Sequence, residues 1–361
     1  MLRHVLSVSL TILFAASVAA QSPAPAAAAL SSPAPSTLDA LDPPDLQQAI
    51  PIIKENYVDP AALNETEINR AVLAGLLSRL GNGVRLLPAR GSAPPSPALF
   101  YRETIADHIG YLRPGDLSKE QVQEMDMALR GLAGKKVDAL ILDLRGGGET
   151  NDYGAVAEFA SRFVPKGKPL FSLRGPGGKE LRTFLSNQDP LYRGLLVLLV
   201  DGETAGPAEA LAAVLRQNNK AILIGQTTAG RGVNYADRPL PSGNVLHIAV
   251  AQVILPDQPP IFPKGLTPDL PVAQPMAEKR QIFQQGLTKS MASFVFETDR
   301  PHLNEAALLA GTNPEIEAAQ AAQQRRVRGG NAPALHDPVL QRAVDVITSI
   351  EVYEKQPGRS P

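Results

Sequence analysis

Two nearly unbroken apolar runs, Val137-Asp-Ala-Leu-Ile-Leu-Asp-Leu144 and Leu195 to Val200, constrain the fold of this chain more than any other feature. Side chains alternate between the two faces of a strand, so a strand that is apolar at almost every position is buried on both. Such strands belong inside a parallel sheet covered by helices. Gly146-Gly-Gly148 ends the first run, after which Tyr153 to Val164 takes up helical spacing. Pro207 to Arg216 is again helical, and Ala221 to Gly225 returns to a strand. Strand, helix and strand in succession require crossover connections, which predicts an α/β core. Ile105 to Leu112 reads as a strand upstream, and Ser118-Lys-Glu-Gln121 as a capping box opening a helix through Leu132. Val245 to Leu255 reads as a long antiparallel or edge strand, ended by Pro256 and Pro259-Pro260.

Composition removes several classes of function. A formal charge of −1 over 361 residues gives no basic footprint, so neither nucleic acid nor an anionic membrane is expected as a partner. With no cysteine there is no disulfide, thiolate metal site or cysteine nucleophile. The five histidines, His4, His108, His247, His302 and His336, are scattered without metal-ligand spacing. Each is read as structural or solvated, and no metal or cofactor is expected.

The organisation follows from composition shifts. Arg3 and His4 precede an apolar run from Val5 to Ala16, and Val18-Ala19-Ala20 places small residues before Gln21. The run is shorter than the roughly 20 residues of a spanning helix. Residues 1–20 are therefore expected to be a signal peptide, making the mature protein periplasmic or extracellular with no integral membrane span. Residues 21–44 are an Ala/Pro/Ser-rich tether, and 45–87 a helical segment of two small packing helices. One carries Leu46, Ile50, Ile53 and Tyr57 near one face; the other carries Ile68, Val72, Leu73, Leu76, Leu77 and Leu80. After a Pro/Gly/Ala/Ser-rich break from Leu87 to Leu99, the core is expected over 101–275 and a C-terminal helical region over 276–361, with a last helix from Asp337 to Tyr353.

The turn Asp201-Gly-Glu-Thr-Ala-Gly206-Pro207-Ala-Glu209 joins a strand to a helix N-terminus, where unpaired N–H groups favour negative charge. Gly206 suits a cap, Pro207 a first helical turn, and Glu209 an acid near the positive end of the dipole. An ordinary connection explains this turn taken alone. Several separated motifs add to it. Tyr57-Val-Asp-Pro60, Ile109-Gly-Tyr-Leu112, Leu140-Ile-Leu-Asp-Leu-Arg145-Gly, Gly265-Leu-Thr-Pro-Asp269 and Asp337-Pro-Val-Leu-Gln-Arg-Ala343 occur in order across most of residues 50–350. Together they resemble the C-terminal processing, or tail-specific, serine peptidases. The resemblance implies an α/β fold with a ClpP/crotonase-like ββα core of a tail-specific protease domain, flanked by N- and C-terminal helices.

In that family a serine stands three residues before the glutamate and a lysine follows the serine by 25 positions. Anchored on Glu209, the nucleophile position is Gly206 and the base position Arg231, both landmarks agreeing without a gap. Glycine cannot form an acyl-enzyme, and a guanidinium cannot act as a base near neutral pH. Pro207 occupies the position whose backbone N–H the family uses as an oxyanion donor, and proline has none. The resemblance places the other oxyanion contribution near Gly147 and Gly148, with Glu149 and Thr150 at the paired-glycine positions in the ungapped match. Tyr235 stands where some members place a supporting glutamine, and Glu209 where some orient the dyad. The nearest hydroxyl, Thr204, has no lysine or histidine placed to activate it. The segment from Leu87 to Leu99 is too short for the PDZ domain the family usually inserts there.

The expectation is an exported, catalytically silent relative that binds a peptide, a protein or a sister subunit through a retained groove. One alternative is an active serine-type peptidase, which would need Ser172, Ser186 or Ser242 to meet a lysine or histidine. Another is a crotonase-like acyl-CoA enzyme sharing the fold alone.

Overall fold

The computed structural model describes residues 37–89, 99–135, 137–146, 151–295 and 335–354. The expected signal peptide and Gly147 and Gly148 lie outside the described residues. So do Glu149, Thr150, most of the break from Leu87 to Leu99 and the polar stretch at 320–331.

A six-stranded sheet forms the centre of the core. Its strands are β2 (Tyr101–Ile105), β3 (Ile109–Arg113), β4 (Ala139–Asp143), β7 (Leu195–Val200), β8 (Ile222–Gly225) and β11 (Leu270–Pro271). The spatial order is β11-β8-β7-β4-β3-β2, parallel throughout except that β2 pairs antiparallel with β3. Every residue of β3 and β4 is buried, as the apolar runs require. Alternation divides their side chains between two cores. Leu140, Leu142, Leu196 and Leu198 pack with α3 (Lys119–Ala133), α4 (Tyr153–Ser161) and α5 (Pro207–Asn219). Ala139, Ile141, Val197 and Leu199 face α6 (Met276–Lys289) and α7 (Pro338–Glu354). At about 1.5–3 kcal/mol for each large apolar side chain, burial on both faces favours this register, because a one-residue slip exchanges the faces.

A second, antiparallel sheet contains β1 (Val84–Leu87), β5 (Pro169–Arg174), β6 (Glu180–Leu185), β9 (Val233–Pro239) and β10 (Val245–Ile254). Phe171, Leu173 and Val253 carry it into the core shared with α4 and α5. The long strand expected at 245–255 is present as β10, but it is the centre of this sheet rather than an edge, pairing β1, β5 and β9.

Three local readings change. The strand expected from Ile105 to Leu112 is the hairpin β2–β3, because Ala106 and Asp107 both adopt positive φ, at 49° and 60°. Ser118 caps α3 by position without a side-chain hydrogen bond, while Gln121 accepts instead from the Gly115 N–H at 3.2 Å. Helices α1 (Pro43–Asn56) and α2 (Glu65–Leu80) exist, but neither has a buried residue, and Leu46, Ile50, Ile53, Leu76 and Leu80 are exposed. The chain divides into two units within α2, between Leu73 and Ala74. No helix among the described residues is long and apolar enough to cross a membrane.

Buried charge fastens the C-terminal helices to the sheet. Arg145, fully buried just beyond β4, donates to Asp143 Oδ2 at 2.7 Å, Asp337 Oδ2 at 2.9 Å and Gln274 Oε1 at 2.8 Å. Lys279 of α6 donates to the Arg145 carbonyl and to Glu203 Oε2, each at 2.8 Å, and is paired with Asp201. Burial alone would raise the Asp143 carboxyl, but the Arg145 guanidinium beside it holds it below its ordinary 3.8. A depressed folded-state pKa contributes stability that is present above the unfolded value and lost as pH falls through the folded one. Denaturation midpoints are therefore expected to fall with pH below about 4, and less steeply in Asp143→Asn. Equal slopes for the two proteins would contradict this assignment.

Candidate functional site

The site forms where the turn after β7 meets the turn before β9. Gly206 caps α5 with φ 53° and ψ −114°, a conformation that glycine adopts without the penalty a Cβ brings. A Cβ built there would find the Arg231 carbonyl oxygen at 3.5 Å and the Tyr153 hydroxyl at 4.0 Å, so the space at the family's nucleophile position is open. Pro207 follows at the first helical position, buried and with no N–H to donate.

Glu209 ties the two turns together. Its buried carboxylate accepts from the Gly206 N–H at 2.9 Å, the Gly230 and Arg231 N–H groups at 2.7 Å each, and the Thr228 hydroxyl. The first of these is the helix-start role that an acid at this position explains. The other three reach across to the second turn and fix Gly206 relative to Arg231. Burial pushes the Glu209 carboxyl up, and the four donors pull against it. The second turn is shaped for this contact, since Gly230 has φ 66° and a Cβ there would lie 2.1 Å from the Pro263 carbonyl oxygen.

Thr204 is engaged elsewhere. It is buried, its hydroxyl donates to the Leu144 carbonyl at 3.0 Å, and it accepts from the Asp201 N–H at 3.0 Å. Ser186 and Ser242 are likewise bonded elsewhere. Ser186 donates to the Val164 carbonyl and Ser242 accepts from the Asn244 N–H. Among the described residues, none of Ser172, Ser186 and Ser242 is hydrogen-bonded to a lysine or histidine.

Gly206, Pro207 and Arg231 line an open cleft of about 430 Å³, whose described lining contains no lysine. Its far wall is the second sheet, which contributes Arg85, Tyr235, Asp237 and His247. His247 Nδ1 meets Asp237 Oδ1 at 2.6 Å, and its ring stacks on Tyr235 with centroids 4.1 Å apart. The Tyr235 hydroxyl donates to the Asn82 carbonyl at 2.6 Å, and Asn82 Nδ2 donates to the Ala229 carbonyl at 3.0 Å. Asn151 Nδ2 completes the wall by donating to the Tyr235 carbonyl at 2.7 Å.

The structure brings Gly206, Pro207, Glu209, Arg231 and Tyr235, the positions that the resemblance singles out, around one cleft. His247, read from the sequence as structural or solvated, stands in the cleft wall. Arg85, Asn151, Tyr153 and Asp237 were likewise not apparent from the sequence. A hairpin centred on Ser242 would have paired Asp237 with His247, as β9 and β10 do. No group of described residues is arranged to hold a metal ion.

Residues 108–272 match the model for peptidase family S41. The carboxyl-terminal-processing protease of a Synechocystis species is 30% identical over 178 residues, covering 48% of this chain and 40% of that protein. Carboxy-terminal processing protease CtpA of Bacillus subtilis is 28% identical over 178 residues, covering 48% and 37%. A solved photosystem II D1 C-terminal processing protease is 22% identical, covers 51% of this chain and 50% of that one, and has a TM-score of 0.43. The chain spans about four-tenths of the length of these curated relatives. The core of the chain, residues 108–272, is similar to peptidase family S41.

Proposed function

We propose that this protein is an exported member of its family without peptidase activity, which binds a peptide or protein segment in the cleft above Gly206. The observation that carries the reading is the pairing of an intact frame with absent chemistry. Glu209 still holds both turns in place, yet the positions it aligns carry glycine and arginine. Loss of a nucleophile alone costs on the order of a million-fold in rate. Pro207 removes an oxyanion donor as well, so the residual acceleration that such a site retains should also be reduced. The cleft is open rather than filled by side chains, which favours binding over a purely structural role. Export is inferred from the leader-like residues 1–20.

The reading is tested by rebuilding the site. A fluorophosphonate probe should leave the wild type unlabelled and label the triple variant Gly206→Ser, Pro207→Ala, Arg231→Lys. The open space at Gly206 accommodates the serine, while its positive φ costs about 1–3 kcal/mol. Labelling of the wild type would overturn the proposal.

A further inference from the structure

We infer that the outer edge of β6 docks an extended, acidic segment of a partner protein as one further strand of the second sheet. β6 ends the strand order β1-β10-β5-β6, so among the described residues its outer side carries no strand. Alternation along β6 fixes which main-chain groups lie on that side. The Ser186 N–H donates to the Lys168 carbonyl, and the Ser186 carbonyl accepts from the Gly167 N–H, so Ser186 is turned toward β5. In an antiparallel pair, successive residues turn their N–H and C=O groups to opposite sides. Thr183 and Leu185 therefore turn theirs outward. Leu185 suits that assignment, because its partner in β5 is Pro169, which has no N–H to exchange. An irregularity in the pairing at Leu181 confines the regular edge to residues 182–185.

The side chains along this edge select the partner. Phe184 packs into the core, stacked on Phe171 with centroids 4.6 Å apart, while Leu181 and Leu185 are more than half exposed. Residues 166–185 carry five cations, Lys166, Lys168, Arg174, Lys179 and Arg182, against one acid, Glu180, in a chain whose formal charge is −1. All five are exposed, and among the described residues none is ion-paired. Arg182 lies over the Phe184 ring, 4.5 Å from its centroid, and Glu180 accepts from the Thr183 hydroxyl at 2.5 Å. Charge on a sheet edge guards it against a strand of the same sign. A second copy of β6 would set this row of cations against its own, whereas an acidic strand meets it with opposite charge. Added strands draw affinity from main-chain hydrogen bonds and selectivity from alternate side chains. The segment that fits therefore alternates acids, on the face of Arg182, with β-branched residues, on the face of Thr183 and Leu185. None of these residues lines the cleft, so the inference stands apart from the reading above.

Two fluorescein-labelled, amidated nonapeptides, one alternating Thr with Glu and the other Thr with Gln, are titrated with the full-length protein by fluorescence polarisation. In about 50 mM salt the acidic peptide should bind at least about 10-fold tighter, and the preference should shrink in about 0.5 M salt, as exposed ion pairs require. Hydrogen exchange should slow on binding over residues 180–186, and not at Gly230 and Arg231 of the cleft turn. The double change Lys179→Gln, Arg182→Gln should remove most of the preference. Arg130→Gln, which removes an exposed guanidinium of α3, should leave it intact.

Absence of binding, or equal binding of the two peptides, would overturn the inference. So would a preference lost equally in Arg130→Gln, as a general charge effect, or binding without slower exchange over residues 180–186. Slower exchange there on concentrating the protein alone would also overturn it, by assigning the edge to a second copy.

Discussion

Replacing Arg145 by methionine is expected to lower the melting temperature by about 10 °C or more. The guanidinium lies fully buried between Asp143 and Asp337, each also fully buried, and it is ion-paired with both. Removing one member of a buried ion pair costs about 3–5 kcal/mol, because the remaining charge keeps its desolvation penalty without its partner. For a domain of this size each kcal/mol moves the midpoint by about 2–4 °C. Two carboxylates would then face each other in a dry site, and protonating one offsets only part of the loss. The same change detaches the C-terminal helix, since Asp337 also accepts the Val339 and Leu340 N–H groups at the start of α7. Thermal unfolding followed by circular dichroism reads this directly. A shift below about 2 °C would mean that the network is not the fastening it is described as here.

The second large effect is expected at Glu209. Glu209→Ala leaves the Gly206, Gly230 and Arg231 N–H groups and the Thr228 hydroxyl without their acceptor. An unsatisfied buried donor costs about 1–3 kcal/mol, and partial entry of water keeps the sum below four such penalties. A loss of about 3 kcal/mol or more is expected, with faster hydrogen exchange at the Gly230 and Arg231 amides. Glu209→Gln should fall between, because every partner is a donor and the new NH₂ group has nothing to give to them. If Glu209→Ala melts like the wild type, the carboxylate is only a helix-start acid and the two turns are held by other contacts.

The parts of this molecule legible in its sequence are those set by short-range pattern. β4 and β7 declare themselves because both faces are buried, and α5 because Gly206 and Pro207 mark its start. The resemblance, anchored on Glu209, aligned Gly206 and Arg231 with one site, and a single carboxylate bonds to the backbone of both. What depends on distant pairing was hidden. Arg145 meets Asp337 across 192 positions and Lys279 meets the Arg145 carbonyl across 134, and nothing local announces either. The hairpin at Ala106 and Asp107 was missed because no glycine marks it, although aspartate tolerates the left-handed region better than most residues. The apolar stripe of α1 predicts a packed face, yet Ile50 and Ile53 are about half exposed, at 48% and 50%. Periodicity specifies an amphipathic helix but not what covers it.

The central claim is that the frame persists while the peptidase chemistry does not. It is tested most directly by incubating the purified full-length wild type with unstructured casein and following fragments by mass spectrometry. No cleavage above the protein-free control is expected. Cleavage that follows the protein through size-exclusion chromatography would contradict the account, because it would require a nucleophile that neither Gly206 nor Thr204 supplies.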